Sequence, residues 1–135
     1  MENTSDLLLD THILIWLANE PARVPRRMLK ALQEVVRRSV SLTSAHEIQV
    51  KHQRDPTAFP FSLRHMEAAM REFACTELAV SFKDLQKLDQ MQFIHKDPFD
   101  RVLMAQAARR DLLLVTADQD ILATARQFRQ FRVFK

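Results

Sequence analysis

The sequence contains no glycine. Left-handed backbone positions at turns and helix ends usually fall to glycine, so Asp or Asn is expected to fill them here. Asp111, between a helical pattern and an apolar run, is the candidate. A single cysteine, Cys75, excludes an internal disulfide and suits a reducing cytoplasm. It is expected to serve as a small buried apolar side chain. Long apolar runs are absent too: Leu7 to Leu9 and Ile13 to Ala18 are separated by Asp10, Thr11 and His12. That stretch is too short and too polar at its centre to cross a bilayer, and no signal peptide is visible. No linker, repeat or low-complexity segment is visible. The expectation is a cytoplasmic protein with no membrane partner.

What is present fits one globular domain spanning residues 1–135, with 47% hydrophobic and 27% charged residues. A chain of this length can bury a core without disulfides or structural metal. The net charge of +3 and pI of about 9.4 permit a polyanionic partner without requiring one.

Short apolar runs alternate with longer helical patterns. Leu7 to Leu9 reads as a strand, and a helix follows until Pro21. A second helix from about Pro25 places Met28, Leu29, Leu32, Val35 and Val36 on one face. Val40 to Leu42 reads as a strand, with Ser44 opening a third helix. Leu63, Met66, Met70, Phe73 and Ala74 form the stripe of a fourth. A strand over Leu78 to Val80 precedes a helix through Leu85 and Leu88. Pro98 starts a helix with Phe99, Val102, Leu103 and Ala107 inward. A strand from Leu112 to Val115, a short helix around Ile121 and a strand from Phe131 to Phe134 complete the pattern. Apolar strands separated by helices indicate a parallel sheet covered on both faces, a three-layer α/β/α architecture. Active sites of such sheets lie beyond the carboxyl ends of the strands.

Four acids fall there: Asp10 after the first strand, Glu47 and Asp100 in first turns of helices, and Asp118 after the Leu112 to Val115 strand. Each has a bland explanation. Ser44 to Glu47 reads as a capping box, Asp97-Pro98 with Asp100 as a helix start, and Asp118 as a cap for the Ile121 helix. Their conjunction asks for more. Two like charges 4 Å apart cost about 4 kcal/mol at an effective dielectric near 20, which protonation or a cation must relieve. Oxygen ligands of this kind suit Mg²⁺ or Mn²⁺, ions that activate water and stabilise charge on a phosphodiester oxygen.

The segments Leu7-Leu8-Leu9-Asp10-Thr11-His12, Ser44-Ala45-His46-Glu47-Ile48, Asp97-Pro98-Phe99-Asp100-Arg101 with Ala105-Gln106-Ala107, and Leu114-Val115-Thr116-Ala117-Asp118 resemble the successive motifs of PIN domains. Among these, the chain is most similar to VapC-type toxins of toxin–antitoxin systems, over nearly its whole length. The resemblance implies a single PIN domain that hydrolyses RNA. It implies metal binding by Asp10, Glu47, Asp100 and Asp118, a homodimer, and inhibition by a cognate antitoxin. Thr11, Ser44 and Thr116 match hydroxyl positions that orient ligands or water, and Asp120 can assist or replace Asp118. The chain departs from the pattern at Asp111, where glycine is usual, and between His52 and Pro60.

His46 and His52 are six apart, not the four of a zinc-protease helix. His12 and His95 are expected near the site as hydrogen-bonding groups, and Trp16 in the core or a dimer surface rather than as a base-stacking platform. Arg126, Arg129 and Arg132, and Arg23, Arg26 and Arg27, read as solvated faces or as a phosphate-contacting rim. Arg101 and Lys51 either bind substrate or pair with the neighbouring carboxylates. A phospho-receiver domain would need an acceptor Asp and a Lys near a later strand end, and no such Lys is evident after Val115. A housekeeping PIN nuclease and a catalytically silent binding module are the functional alternatives.

Overall fold

The computed structural model describes residues 6–35, 37–94 and 97–135. Val36 and His95, singled out above, lie outside the described residues. Five parallel strands form one sheet in the order β3-β2-β1-β4-β5: β1 Leu7–Leu9, β2 Arg38–Ser41, β3 Cys75–Leu78, β4 Leu113–Val115 and β5 Arg132–Val133. The helices are α1 Thr11–Asn19, α2 Arg26–Glu34, α3 Leu42–Arg54, α4 Leu63–Glu72, α5 Phe82–Asp89, α6 Pro98–Arg110 and α7 Gln119–Phe128. A 3-10 turn, Pro21–Arg23, links α1 to α2.

The central strand shows why the sheet has two covered faces. Side chains alternate along a strand. Leu7 and Leu9 enter a core with Ile13, Leu14 and Leu17 of α1, Met28 and Leu32 of α2, Ile48 of α3 and Met66 of α4. Leu8 enters a second core with Met104 and Ala107 of α6 and Ile121 and Ala125 of α7. Fully burying each such leucine or isoleucine contributes about 1.5–3 kcal/mol. No described helix is long and apolar enough to cross a membrane.

Several boundaries differ from the expectation. β2 stops at Ser41, and α3 begins at Leu42 with Ser41 as its cap, accepting from the Thr43 amide. Ser44 therefore stands inside the helix, and Glu47 lies past the first turn, so the expected capping box does not form. The strand expected over Leu78 to Val80 runs instead from Cys75 to Leu78, and Cys75 is only half-buried. Phe73 caps α4 rather than lying within it, and α7 extends over ten residues. β2, β3 and β5 carry Arg, Thr and Glu: only the central strands β1 and β4 are uniformly apolar.

Asp111 does hold the left-handed conformation after α6, at φ 55°. Its carboxylate and carbonyl both accept from Arg132. Ala74 and Arg129 also take positive φ, so the missing glycines are not replaced by Asp and Asn alone. A side chain in this region costs roughly 1–2 kcal/mol, which the surrounding packing must offset.

Candidate active site

The chain order of the sheet sets the location. Connections from β1 run to β2 and β3 on one side, then cross back to β4 on the other. The switch lies between β1 and β4, and the crevice outside their carboxyl ends is where open α/β sheets take ligands. Asp10 closes β1 there, and its amide continues the pairing by donating to the Val115 carbonyl at 3.0 Å. Thr116 follows β4. Its hydroxyl donates to Asp10 Oδ2 at 2.7 Å and accepts from the Asp118 amide at 3.0 Å.

Two further elements bring their acids to this end. Thr11 Oγ1 lies 2.8 Å from Glu47 Oε1 and 2.8 Å from Ser44 Oγ. Thr11 has one hydroxyl proton and a carboxylate can only accept. Thr11 therefore donates to Glu47 and accepts from Ser44. This buried relay ties the start of α1 to α3 and fixes the Glu47 side chain. Lys51, one turn on, donates to Glu47 Oε2 at 2.6 Å. Of the two roles open to Lys51, the structure displays the carboxylate pair. Asp100 is buried in the first turn of α6, whose start is capped by Asp97. The neighbouring Phe99 ring meets His46 of α3 edge-on at 5.8 Å, which sets this turn beside the helix carrying Glu47. Arg101 lies over the Phe93 ring at 5.0 Å.

Asp118 does what the bland reading expected: its Oδ1 accepts from the amides of Asp120 and Ile121 and caps α7. That leaves the second carboxylate oxygen out of the cap. Asp120 is exposed in the first turn of the same helix.

The electrostatics centre on Asp10, 2% exposed. Burial raises its carboxyl above the ordinary carboxylate value, and the negative charges of Glu47 and Asp118 push the same way. The Thr116 hydroxyl and nearby His12 oppose this without overcoming it. A second buried acid went unnoticed in the sequence. Asp84, in the first turn of α5, is fully buried and receives Arg109, Arg110, Gln106 and the Ser81 amide. The signal available was Ser81 with Asp84 three residues on, a capping-box spacing.

Among the described residues, no three His, Cys, Asp or Glu side chains stand as a ready-made metal cage. Mg²⁺ seldom uses one: it binds through one or two carboxylates and keeps several waters. Asp10 is buried, takes a hydroxyl hydrogen bond from Thr116 and faces the carboxylates of Glu47 and Asp118, with His12 nearby opposing their charge. A carboxylate donor set of this kind fits such an ion better than Zn²⁺, which favours His and Cys.

Neither a protein-family model nor a curated protein matches the sequence. Solved structures do match. A chain of VapBC2 from Rickettsia felis, bound to a DNA fragment from its promoter, superposes with a TM-score of 0.67 at 11% identity, over 96% of this chain and 97% of that one. DNA-bound VapBC from Salmonella typhimurium gives 0.67 at 15% identity, with the same coverage of 96% and 97%. VapBC-5 from Mycobacterium tuberculosis, of a toxin–antitoxin family, gives 0.60 at 19% identity, over 97% and 98%. The chain has a PIN-like fold. The superposition covers nearly the whole chain, so the likeness is one of overall fold. In the PIN-like frame the acids lie at the carboxyl end of the sheet, on the termini of β1 and β4 and on α3 and α6.

Proposed function

We propose that this chain is a Mg²⁺- or Mn²⁺-dependent endoribonuclease, the toxin of a toxin–antitoxin pair. The observation that carries the reading is Asp10: a buried carboxylate at the topological switch point, raised by burial and faced by the like charges of Glu47 and Asp118. A site that gathers negative charge, with the nearby His12 opposing it only in part, favours a cation from outside.

Asp10 and Asp118 would hold the ion with Asp100, and Glu47 completes the acidic set. When bound, Mg²⁺ or Mn²⁺ supplies water of lowered pKa and positive charge for a phosphodiester oxygen. The chain's own residues prepare the place. Thr116 fixes the Asp10 carboxylate through Oδ2 and leaves its other oxygen free of that bond. Thr11, itself bonded to Ser44, donates to Glu47 Oε1 and helps to orient that carboxylate. Lys51 balances part of the Glu47 charge and stands where an RNA phosphate can draw it away. The layout assigns no role to a covalent nucleophile, and Cys75 is on β3, the far edge of the sheet.

The structural matches are complexes of toxin and antitoxin, which supports a cognate antitoxin here. A groove of about 720 Å³ between α3, α4 and the β2–β3 edge offers a seat for an apolar antitoxin segment, lined by Leu42, Ala45, Leu63, Met66 and Met70. A homodimer belongs to the same reading. Phe82 on α5, 76% exposed, offers it an apolar surface. Sedimentation should show a dimer at micromolar concentration.

Purified protein should cut RNA in Mg²⁺ or Mn²⁺, lose activity in EDTA and regain it on adding either ion. Zn²⁺ should restore it poorly. Cleavage that persists in EDTA rejects the proposal. Co-expression with the adjacent small gene should yield an inactive complex, and free toxin from that co-expression rejects the antitoxin part.

A further inference from the structure

The outward face of α1 carries a strip of flat side chains that starts at the acid site. Thr11, Ile13, Leu14 and Leu17 face the core. His12 and Trp16, four residues apart and so on one face, turn outward. The His12 ring is exposed one residue from Thr11 and its centroid lies 6.5 Å from that of Trp16, tilted by 55°. Trp16 is half-buried against the core, and Arg23 lays its guanidinium 4.3 Å above the indole. The Arg23 side chain is itself 54% exposed, and its contact with Glu20, at 3.6 Å between two exposed groups, is a weak surface pair. Arg26 and Arg27 lie exposed just beyond it.

The strip thus runs imidazole, indole, guanidinium, then further cations, leading away from Asp10. Another exposed histidine, His46, stands beside Glu47 and against Phe99, the neighbour of Asp100. Flat groups therefore border the carboxylates on α1 and at the α3–α6 contact. Core packing explains the buried edge of Trp16. It does not account for the Arg23 guanidinium placed 4.3 Å over the ring while half of that side chain stays in water.

We propose that His12, Trp16 and Arg23 form a stacking platform for unpaired nucleobases, which selects single-stranded RNA for the acid site. This rests on the nuclease reading above. Single strands are recognised by stacking splayed bases on aromatic rings and on Arg planes, with cations along the backbone, and the strip provides both. A duplex keeps its bases stacked on one another and cannot use it. The platform makes these residues determinants of substrate choice. The chemistry stays with the carboxylates.

Trp16 is the only tryptophan of the chain, so its fluorescence reports the platform without any activity. The full-length Asp10→Asn protein in Mg²⁺ would be titrated with a short mixed-sequence oligoribonucleotide, and separately with the same sequence as a blunt duplex. Binding would be followed independently by anisotropy of a labelled strand. The single strand should quench Trp16 saturably, in step with anisotropy, and the duplex should not. Trp16→Leu should weaken single-strand binding by between about 5-fold and 150-fold, the range for loss of one stacked base, while Trp16→Phe should recover most of it. Arg23→Ala, exposed and outside the core, should weaken it as well. Binding without quenching, no binding, or equal quenching by duplex each overturns the platform. Emission that changes with protein concentration and not with RNA assigns the strip to a second copy of the chain and also overturns it. Wild-type cleavage of RNA separates the two readings. Cleavage unaffected by Trp16→Leu and Arg23→Ala leaves the nuclease standing and removes the platform. Quenching without cleavage keeps the platform and removes the nuclease.

Discussion

Asp10 and Asp84 are both buried aspartates at the starts of helices, 2% and 0% exposed, yet their surroundings are opposite. Burial alone would raise Asp84. Hydrogen bonds from Arg110, the Ser81 amide, Arg109 and Gln106 outweigh it and hold the carboxyl well below the usual range. Arg109 Nε stands 2.6 Å from Oδ1 and an Arg110 terminal nitrogen 2.9 Å from Oδ2, so two helices, α5 and α6, are joined through one paired charge. Asp10 receives one hydroxyl and faces carboxylates. The first is a charge the protein has answered for itself. On the function proposed above, the second is a charge left for a ligand. The difference in partners would then separate a structural acid from a functional one where burial and helix position do not.

The largest expected effect of breaking this contrast is on Asp10. Asp10→Asn should lower RNA cleavage by at least about a hundredfold, the scale of losing a key electrostatic group at a reacting centre. Its thermal midpoint should hold or rise, because a carboxylate disfavoured by burial and by its neighbours is removed. A fall in the midpoint together with retained cleavage would reverse the assignment.

Asp84 should behave in the opposite way. Asp84→Ala leaves Arg109 and Arg110 without their buried partner and should cost about 3–5 kcal/mol in urea unfolding. Protein that still folds should still cleave. Because the folded carboxyl titrates below its unfolded value, its stabilisation is complete above the ordinary value of about 4 and is lost as pH falls through the folded value. The stability gap between wild type and Asp84→Asn should therefore be constant above pH 5 or so and narrow in stronger acid.

Asp118 stands between the two, as a helix cap and a proposed ligand. Asp118→Ala should cost about 1 kcal/mol of stability. Asp118→Ser should recover the cap and not the metal affinity, and calorimetry with Mn²⁺ separates the roles. The smallest change is expected at Lys51, which competes with a cation for Glu47. Lys51→Met should tighten Mn²⁺ binding by up to about fivefold, the scale of a partly exposed ion pair.

The central strands were legible in the sequence because β1 and β4 are buried on both faces and carry only apolar residues. Asp10 and Asp118 were legible for the same reason, as the first acids beyond those strands. Pro98 marked α6 because proline tolerates only the first turn of a helix, and Asp97 duly caps it. The start of α3 was misplaced because three hydroxyl residues, Ser41, Thr43 and Ser44, compete for the cap, and local sequence does not say which hydroxyl a distant Thr11 will claim. Asp84 was missed because its partners Arg109 and Arg110 lie 25 and 26 residues away. Only the packing of α5 on α6 brings them together. The left-handed Ala74 and Arg129 are likewise tertiary outcomes that no local preference announces.

The contrast between the two aspartates is tested most directly by Mn²⁺ binding, read from loss of the free-ion electron spin resonance signal. Three purified proteins would be compared: wild type, Asp10→Asn and Asp84→Asn. Wild type and Asp84→Asn should sequester Mn²⁺ alike, and Asp10→Asn should leave it free. Equal binding by the wild type and Asp10→Asn, or no binding by the folded wild type, would contradict the claim that Asp10 carries a charge left for a cation.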